Sequence, residues 1–161
     1  MRKRTRRQHY ALTNPVALAI AGARITEDCL LDQLRTRELS AIHSFATGAA
    51  TVDDWRTVAD LCNLAQTMCG MGIGPEVLEP ALKVESVLGE AHERYLATNR
   101  MGTTGVGLDA MRHLQEWHHL QRTSVARSVY EAAIVRTSNR IRSAHPSVKV
   151  CIGTPSHTGA Q

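Results

Sequence analysis

Apolar residues through most of the chain recur every three or four positions, which is the spacing of one face of an α-helix. No segment of comparable length alternates apolar and polar residues, the pattern typical of a half-buried strand. The sequence also contains no βαβ pattern and no fixed-period repeat. We therefore predict an all-α fold, an antiparallel bundle of five or six helices.

Residues that start and stop helices set the bounds of the predicted elements. Asn14-Pro15, Thr26 and Thr51 mark helix starts, and several glycines and His145-Pro146 mark helix ends. The predicted helices cover residues 15–22, 26–46, 51–69, 75–98, 108–121 and 128–143. The prediction therefore divides the chain into a flexible basic arm (1–13), a helical domain (14–143) and a loose tail (144–161) with room for one short strand at 148–152.

Two pairs of residues have the spacing of a capping box, Thr51 with Asp54 and Ser128 with Glu131. The glycine-rich run 99–107 is predicted as a loop.

Helical spacing also predicts which side chains face the core. These are Leu31, Leu34, Ala41, Ile42, Phe45, Trp55, Val58, Cys62, Ala65, Cys69, Leu78, Ala81, Leu82, Leu88, Tyr95, Leu96, Met111, Leu114, Trp117, His118, Tyr130, Ile134 and Ile141.

The composition fits one domain with an aliphatic core, because 43% of the 161 residues are apolar and only 4% are aromatic. No apolar run approaches the roughly 20 residues that cross a bilayer, which excludes a membrane-spanning class. Four cysteines are too few for a disulfide scaffold, so we expect a reducing, cytoplasmic environment. Signatures of Ser/His/Asp or Cys/His nucleophiles are missing, so the sequence predicts no catalytic residue and no cofactor.

Charge is strongly partitioned along the chain, although the formal net charge is only +4. Residues 11–131 hold 10 basic and 15 acidic side chains, whereas residues 1–10 and the residues after Glu131 hold no acid. The acidic middle would not attract a polyanion by itself, so any attraction to nucleic acid has to come from the ends. The predicted phosphate-binding residues are Arg2, Lys3, Arg4, Arg6, Arg7, Arg136, Asn139, Arg140 and Arg142.

Other interpretations of the two ends stay open. The N-terminal arm also fits a solvated terminus, and together with the apolar stretch 16–23 it has the outline of an export or import signal. The last two predicted helices and the turn at 122–127 have the order of a helix-turn-helix motif. A solvated amphipathic helix shows the same pattern, so the pattern alone does not distinguish a DNA-binding motif from an ordinary surface helix.

Four polar side chains interrupt the predicted apolar faces: Glu38, Glu85, His92 and His118. An isolated buried carboxylate is costly, so each glutamate needs a partner if it is buried. One hypothesis is that all four converge on a metal or acid–base site, although the paired Glu-x-x-His elements of di-iron bundles are absent. The favoured interpretation is a polar interior layer without a metal, in which the glutamates find Arg, His or hydroxyl partners.

Three short segments carry a resemblance to a known group of proteins. They are Asn14-Pro15, residues 53–56 (Asp-Asp-Trp-Arg) and residues 72–76 (Gly-Ile-Gly-Pro-Glu). In these segments the chain resembles small accessory proteins that proteobacterial phages and integrated elements carry. The group has no established activity to transfer, so the resemblance implies only a context, an intracellular factor that regulates or interferes with host or phage processes.

These observations predict a non-enzymatic, nucleic-acid-associated regulatory or accessory protein that binds phosphates of DNA or RNA with its basic ends. We expect it to need no metal and no cofactor. The alternative is a protein-interaction module or inhibitor that acts on a host or phage protein. A homo-oligomer is compatible with the wide apolar faces, and a membrane is not an expected partner.

Overall fold

A computed structural model describes residues 28–144, and within that range the chain forms five α-helices. They are α1 (Asp28–Thr47), α2 (Val52–Gly70), α3 (Leu78–Thr98), α4 (Gly105–Thr123) and α5 (Arg127–Ser143). A 3-10 turn, Pro75–Val77, leads into α3. The β pairing of residues 28–144 is limited to one isolated bridge between Ala50 and Met101. The predicted all-α bundle is confirmed.

Local residues explain where several helices begin and end. The predicted capping box at Thr51 is present, because its hydroxyl accepts from the Asp54 amide (3.2 Å) and the Asp54 carboxylate accepts from the Thr51 amide (2.8 Å). Gly48 after α1 and Asn99 after α3 have φ angles of 70° and 55°, the left-handed conformation that ends many helices. Thr104 caps α4 by accepting from the amide of Gly107. These helix bounds therefore follow from chemistry between sequence neighbours.

The first four helices enclose one aliphatic core. α2 is the central element, since it packs against α1, α3, α4 and α5. α4 closes the core by packing against both α1 and α3. Each of the four helices contributes fully buried side chains, among them Ile42, Val58, Val84 and Leu114. This shared core is what makes the four helices one unit.

The last helix, α5, lies on the side of this unit. It packs against α2, where Tyr130 and Ala133 join Met68 in a second, smaller cluster. Only Tyr130, Ala133 and Thr137 of its 17 residues are buried. Most of the surface of α5 therefore faces solvent.

The predicted inward face of α3 is only partly right, because Ala81 and Leu88 are buried but three of the predicted leucines are not. Leu78, Leu82 and Leu96 are exposed, and Leu96 keeps 71% of its surface. The buried face of α3 consists of Ala81, Val84, Leu88 and Ala91. Small side chains allow the neighbouring helices to approach closely, so the bundle packs on the alanine-containing stripe instead of the leucine-rich one.

The predicted inward face of α5 is also partly wrong, because Ile134 and Ile141 are exposed. α5 packs mainly on α2 and only three of its residues are buried, so its buried arc is narrow. The predicted capping box at Ser128 is not formed either. Ala126 precedes the helix, and the Glu131 carboxylate accepts a hydrogen bond from Arg127 Nε at 2.8 Å.

Several loops are shorter than predicted. α4 begins at Gly105 and ends at Thr123, so the predicted loop shrinks to 99–104 and the predicted turn at 122–127 shrinks to 124–126. Among residues 28–144 no helix has both the length and the apolar character of a membrane span. The predicted helix 15–22, the basic arm, the tail and the strand 148–152 lie outside the described residues.

Candidate nucleic-acid interface and buried polar network

Three of the predicted phosphate-binding residues share one exposed face of α5. Arg136, Asn139 and Arg140 are three and four residues apart, so their side chains follow one another along the same side of the helix. All three are exposed. The contact of α5 with α2 uses a different arc, that of Tyr130 and Ala133. The fold therefore presents two guanidinium groups and one amide together to solvent.

The remaining predicted residues do not join this face. Arg142 is exposed, but it follows Arg136 by six residues and so lies about 120° around the helix from it. The five cations of the basic arm lie outside the described residues: Arg2, Lys3, Arg4, Arg6 and Arg7. The interface that the described residues assemble is thus Arg136, Asn139 and Arg140.

Neither arginine of this face forms an ion pair with a carboxylate of residues 28–144. Arg140 donates through Nη2 to the backbone carbonyl of Asn63 (3.1 Å) and to its side-chain Oδ1 (3.0 Å), and both acceptors are neutral. Arg136 takes part in no ion pair within residues 28–144. Arg127, at the other end of α5, does pair with Glu131 at 2.8 Å. The cations therefore concentrate toward the C-terminus of α5, where the helix dipole favours them.

The interior of the bundle holds an ion pair between α1 and α4. Arg122 has a fully buried side chain and donates to both oxygens of Glu38, from Nη1 at 2.6 Å and from Nη2 at 3.0 Å. Gln115 adds a third bond to the same carboxylate at 3.2 Å. His119 Nδ1 lies 3.3 Å from Arg122 Nη2. A bidentate pair with extra hydrogen bonds is the arrangement that makes a buried carboxylate tolerable.

His118 forms a neighbouring branch of this network. Its Nδ1 lies 2.8 Å from Gln121 Oε1, and Gln121 Nε2 donates to the carbonyl of Ile73 at 2.7 Å. Since Oε1 can only accept, Nδ1 must carry the proton in the neutral ring. The other ring nitrogen, Nε2, is buried with no hydrogen-bond partner within the described chain. Burial is the main cause that lowers the pKa of His118 to about 4; the hydrogen bond to Gln121 partly opposes it, and the charge of Arg122 adds a smaller lowering effect.

Only two of the four polar residues that interrupt the predicted faces come together. Glu38 and His118 belong to the network between α1 and α4, where Arg122 is the partner of Glu38. Glu85 is exposed and accepts from Gln66 Nε2 at 2.7 Å. His92 packs beside Trp55, with ring centroids 6.3 Å apart. The hypothesis of one convergent site is wrong, and no group of three His, Cys, Asp or Glu side chains among residues 28–144 is placed to hold a metal ion.

The two cysteines of α2, Cys62 and Cys69, are not activated as nucleophiles. Burial raises the pKa of the Cys62 thiol to about 12, and the charge of Glu85 contributes to the rise. The Cys62 thiol donates to the carbonyl of Ala81 at 3.1 Å. Burial also raises the pKa of Cys69. Both thiols are therefore protonated at neutral pH, and the thiolate is the nucleophilic form.

Sequence reasoning missed the residues that complete the interior network. Arg122 was assigned to a turn, and neither Gln115 nor Gln121 was predicted to be buried, yet all three are. A signal was present, because Gln115, His118 and Arg122 follow one another at three- and four-residue spacing on the same side as Met111. Three polar residues in line with a core methionine on one helix side indicate a polar layer facing the core.

Comparison with known proteins finds no match to this chain among family profiles, curated proteins or solved structures. The function of the protein is therefore inferred from the charges and contacts of its own residues.

Proposed function

We propose that the protein is a non-enzymatic, nucleic-acid-associated accessory or regulatory protein whose two basic ends bind phosphates. The observation that carries the proposal is the separation of charge: residues 27–131 hold 15 acidic and 9 basic side chains, while residues 1–26 and 132–161 hold no acid at all. A polyanion is repelled by the body and attracted by the ends.

The exposed face of α5 supports this proposal. Its two arginines are four residues apart, about 6 Å along the helix axis, and each is free of a carboxylate partner within the described chain. Guanidinium groups suit phosphate oxygens because their N–H groups match two acceptors at once. The amide of Asn139 between them is able to donate to a phosphate or to a base edge.

The basic arm supplies the larger electrostatic attraction. Five cations within residues 2–7, each able to displace a condensed counterion, give a steep dependence of affinity on salt but no choice of sequence. Tyr10, in the same arm, offers an aromatic ring for stacking on an unpaired base. We therefore propose that the arm attracts nucleic acid and that α5 orients it.

The α5 interface is tested by neutralising it without changing the rest of the charge pattern. We expect Arg136→Gln together with Arg140→Gln to weaken binding to a labelled 20-nucleotide DNA or RNA about 10-fold at low salt. Each lost phosphate contact on duplex DNA also lowers the slope of log K against log salt by about 0.9. Fluorescence anisotropy over a salt series measures both quantities.

A matched control separates a local interface from net charge. Lys83→Gln with Arg112→Gln removes the same charge from α3 and α4, where both cations are exposed and pair with Glu79 and Asp109. We expect this variant to bind within about twofold of the parent chain. Equal weakening by both double variants would show that α5 is not the interface. If neither single-stranded nor duplex nucleic acid binds the parent chain, the alternative of a protein partner replaces this proposal.

A further inference from the structure

A groove lies between α2, α3 and the last turn of α5. Its volume is about 510 Å³, within the range of roughly 300–1,000 Å³ that small-molecule sites occupy. Trp55, Ala59 and Leu88 provide its apolar wall. The indole Nε1 of Trp55 donates to the carbonyl of Leu88 at 3.0 Å, which fixes the ring in place. Beside them no atom lies within 4 Å of the point that a side chain on Gly89 would occupy, so the groove is open there.

Two opposite charges line this groove without pairing with each other. Glu85 comes from α3 and Arg140 from α5, and each is held by a neutral amide group, Gln66 at 2.7 Å and Asn63 at 3.0 Å. Both charges act on the thiol of Cys62, which also lines the groove, so it lies within the field of each. Because amides do not neutralise a charge, the carboxylate and the guanidinium keep capacity for further hydrogen bonds.

A second carboxylate and a second guanidinium, Asp60 and Arg56, also line the groove. Arg56 forms an ion pair with Asp53 at 3.0 Å. The four charged groups balance, so the groove as a whole favours neither a simple anion nor a simple cation. A ligand that carries both signs of charge, a short distance apart, matches this arrangement best.

We propose that this groove binds a small zwitterion with an apolar side chain, the class to which the free apolar amino acids belong. The ammonium group lies toward Glu85, the carboxylate toward Arg140, and the side chain on the wall of Trp55, Ala59 and Leu88. The groove shares Arg140 with the nucleic-acid face proposed above, so binding of the zwitterion is measured with no nucleic acid present. A ligand that lacks one of the charges leaves one protein charge without its partner, so it binds more weakly.

The two tryptophans of the chain give the test an internal control. Trp55 lies on the groove, whereas Trp117 lies on α4, where its Nε1 donates to His113 Nε2. In nitrogen-15 NMR spectra, we expect L-phenylalanine and L-leucine to shift the indole signal of Trp55 and to leave that of Trp117 in place. The expected dissociation constant for L-phenylalanine is about 1 mM, given its small size. Phenethylamine and 3-phenylpropionate, which each lack one charge, are expected to bind at least about 10-fold more weakly.

Variants on the same helices complete the test. Glu85→Gln and Arg140→Gln are each expected to weaken binding of L-phenylalanine at least about 10-fold. Glu90→Gln on α3 and Arg127→Gln on α5 remove the same charges from exposed positions outside the groove, and we expect changes within about twofold. Equal binding of the three phenyl compounds, or no shift of Trp55 with either amino acid up to its solubility, would overturn the proposal. Equal weakening by the groove and control variants would overturn it as well.

Discussion

Replacing Arg122 by methionine is expected to lower the free energy of unfolding by about 3–5 kcal/mol, the largest effect that we predict for a single substitution. The guanidinium is fully buried and holds both oxygens of Glu38. Its removal leaves a buried carboxylate whose remaining donor is Gln115. A buried charge without its partner costs far more than the net stabilisation that the intact pair supplies.

The double variant Glu38→Leu with Arg122→Met separates the cost of an unpaired buried charge from the net stabilisation that the intact pair supplies. Because an apolar pair of similar volume often replaces a buried ion pair at little cost, we expect the double variant to recover at least half of the lost stability. The recovery is incomplete because Gln115 and His119 lose the groups to which they are bonded. Urea unfolding followed by circular dichroism measures the free energy of unfolding of the parent chain, the single variant and the double variant.

Arg112 serves as the control for this experiment. It lies on the same helix, it is exposed, and its pair with Asp109 is 3.5 Å long. We expect Arg112→Met to change stability by less than about 1 kcal/mol. A loss below about 1 kcal/mol in Arg122→Met would contradict the role that we give to the buried pair.

The protein is expected to lose about 3 kcal/mol of stability between pH 6.5 and pH 4 through His118 alone. Burial lowers the pKa of His118 from 6.5 to about 4 in the folded chain. Between these two pH values the unfolded chain binds a proton that the folded chain does not. The contribution of His118 is therefore complete above pH 6.5, falls as the pH drops toward 4, and changes no further below that.

Comparison of variants isolates this contribution from that of the carboxylates. His118→Leu removes the titrating ring. Between pH 7.5 and pH 4 we therefore expect this variant to lose about 3 kcal/mol less stability than the parent chain loses. The lost bond to Gln121 shifts the whole curve but not its dependence on pH. His43→Leu, at an exposed position of α1, is expected to follow the parent chain. Parallel curves for His118→Leu and the parent chain would show that His118 does not titrate in this way.

The helices were predictable because local chemistry sets most of their bounds. Thr51 and Gly48 mark their helix ends by hydrogen bonding and backbone conformation, which depend on near neighbours. The buried faces were less predictable, because they depend on which helices approach each other. Leu82 and Ile134 have the character of core residues, but α3 packs on its alanines and α5 buries only a narrow arc, mainly against α2.

In the candidate site, too, features set by local spacing were predictable and features set by contacts between distant segments were not. Helical spacing alone places Arg136 and Arg140 on one face, and the structure keeps that face exposed. The partner of Glu38 was not predictable, because Arg122 is 84 residues away in the chain and its burial requires α1 and α4 to pack together. The groove between α2, α3 and α5 likewise exists only through contacts between distant segments.

The proposal that the basic ends bind nucleic-acid phosphates is best tested by the salt dependence of binding. Anisotropy titrations on a 20-base-pair DNA, from 50 to 200 mM salt, compare the full chain with a variant in which the five arm cations are glutamine: Arg2, Lys3, Arg4, Arg6 and Arg7. We expect the parent chain to bind with a steep negative slope of log K against log salt, and the variant to lose about four units of that slope. Equal slopes for the two chains, or no binding by the full chain at the lowest salt, would contradict it.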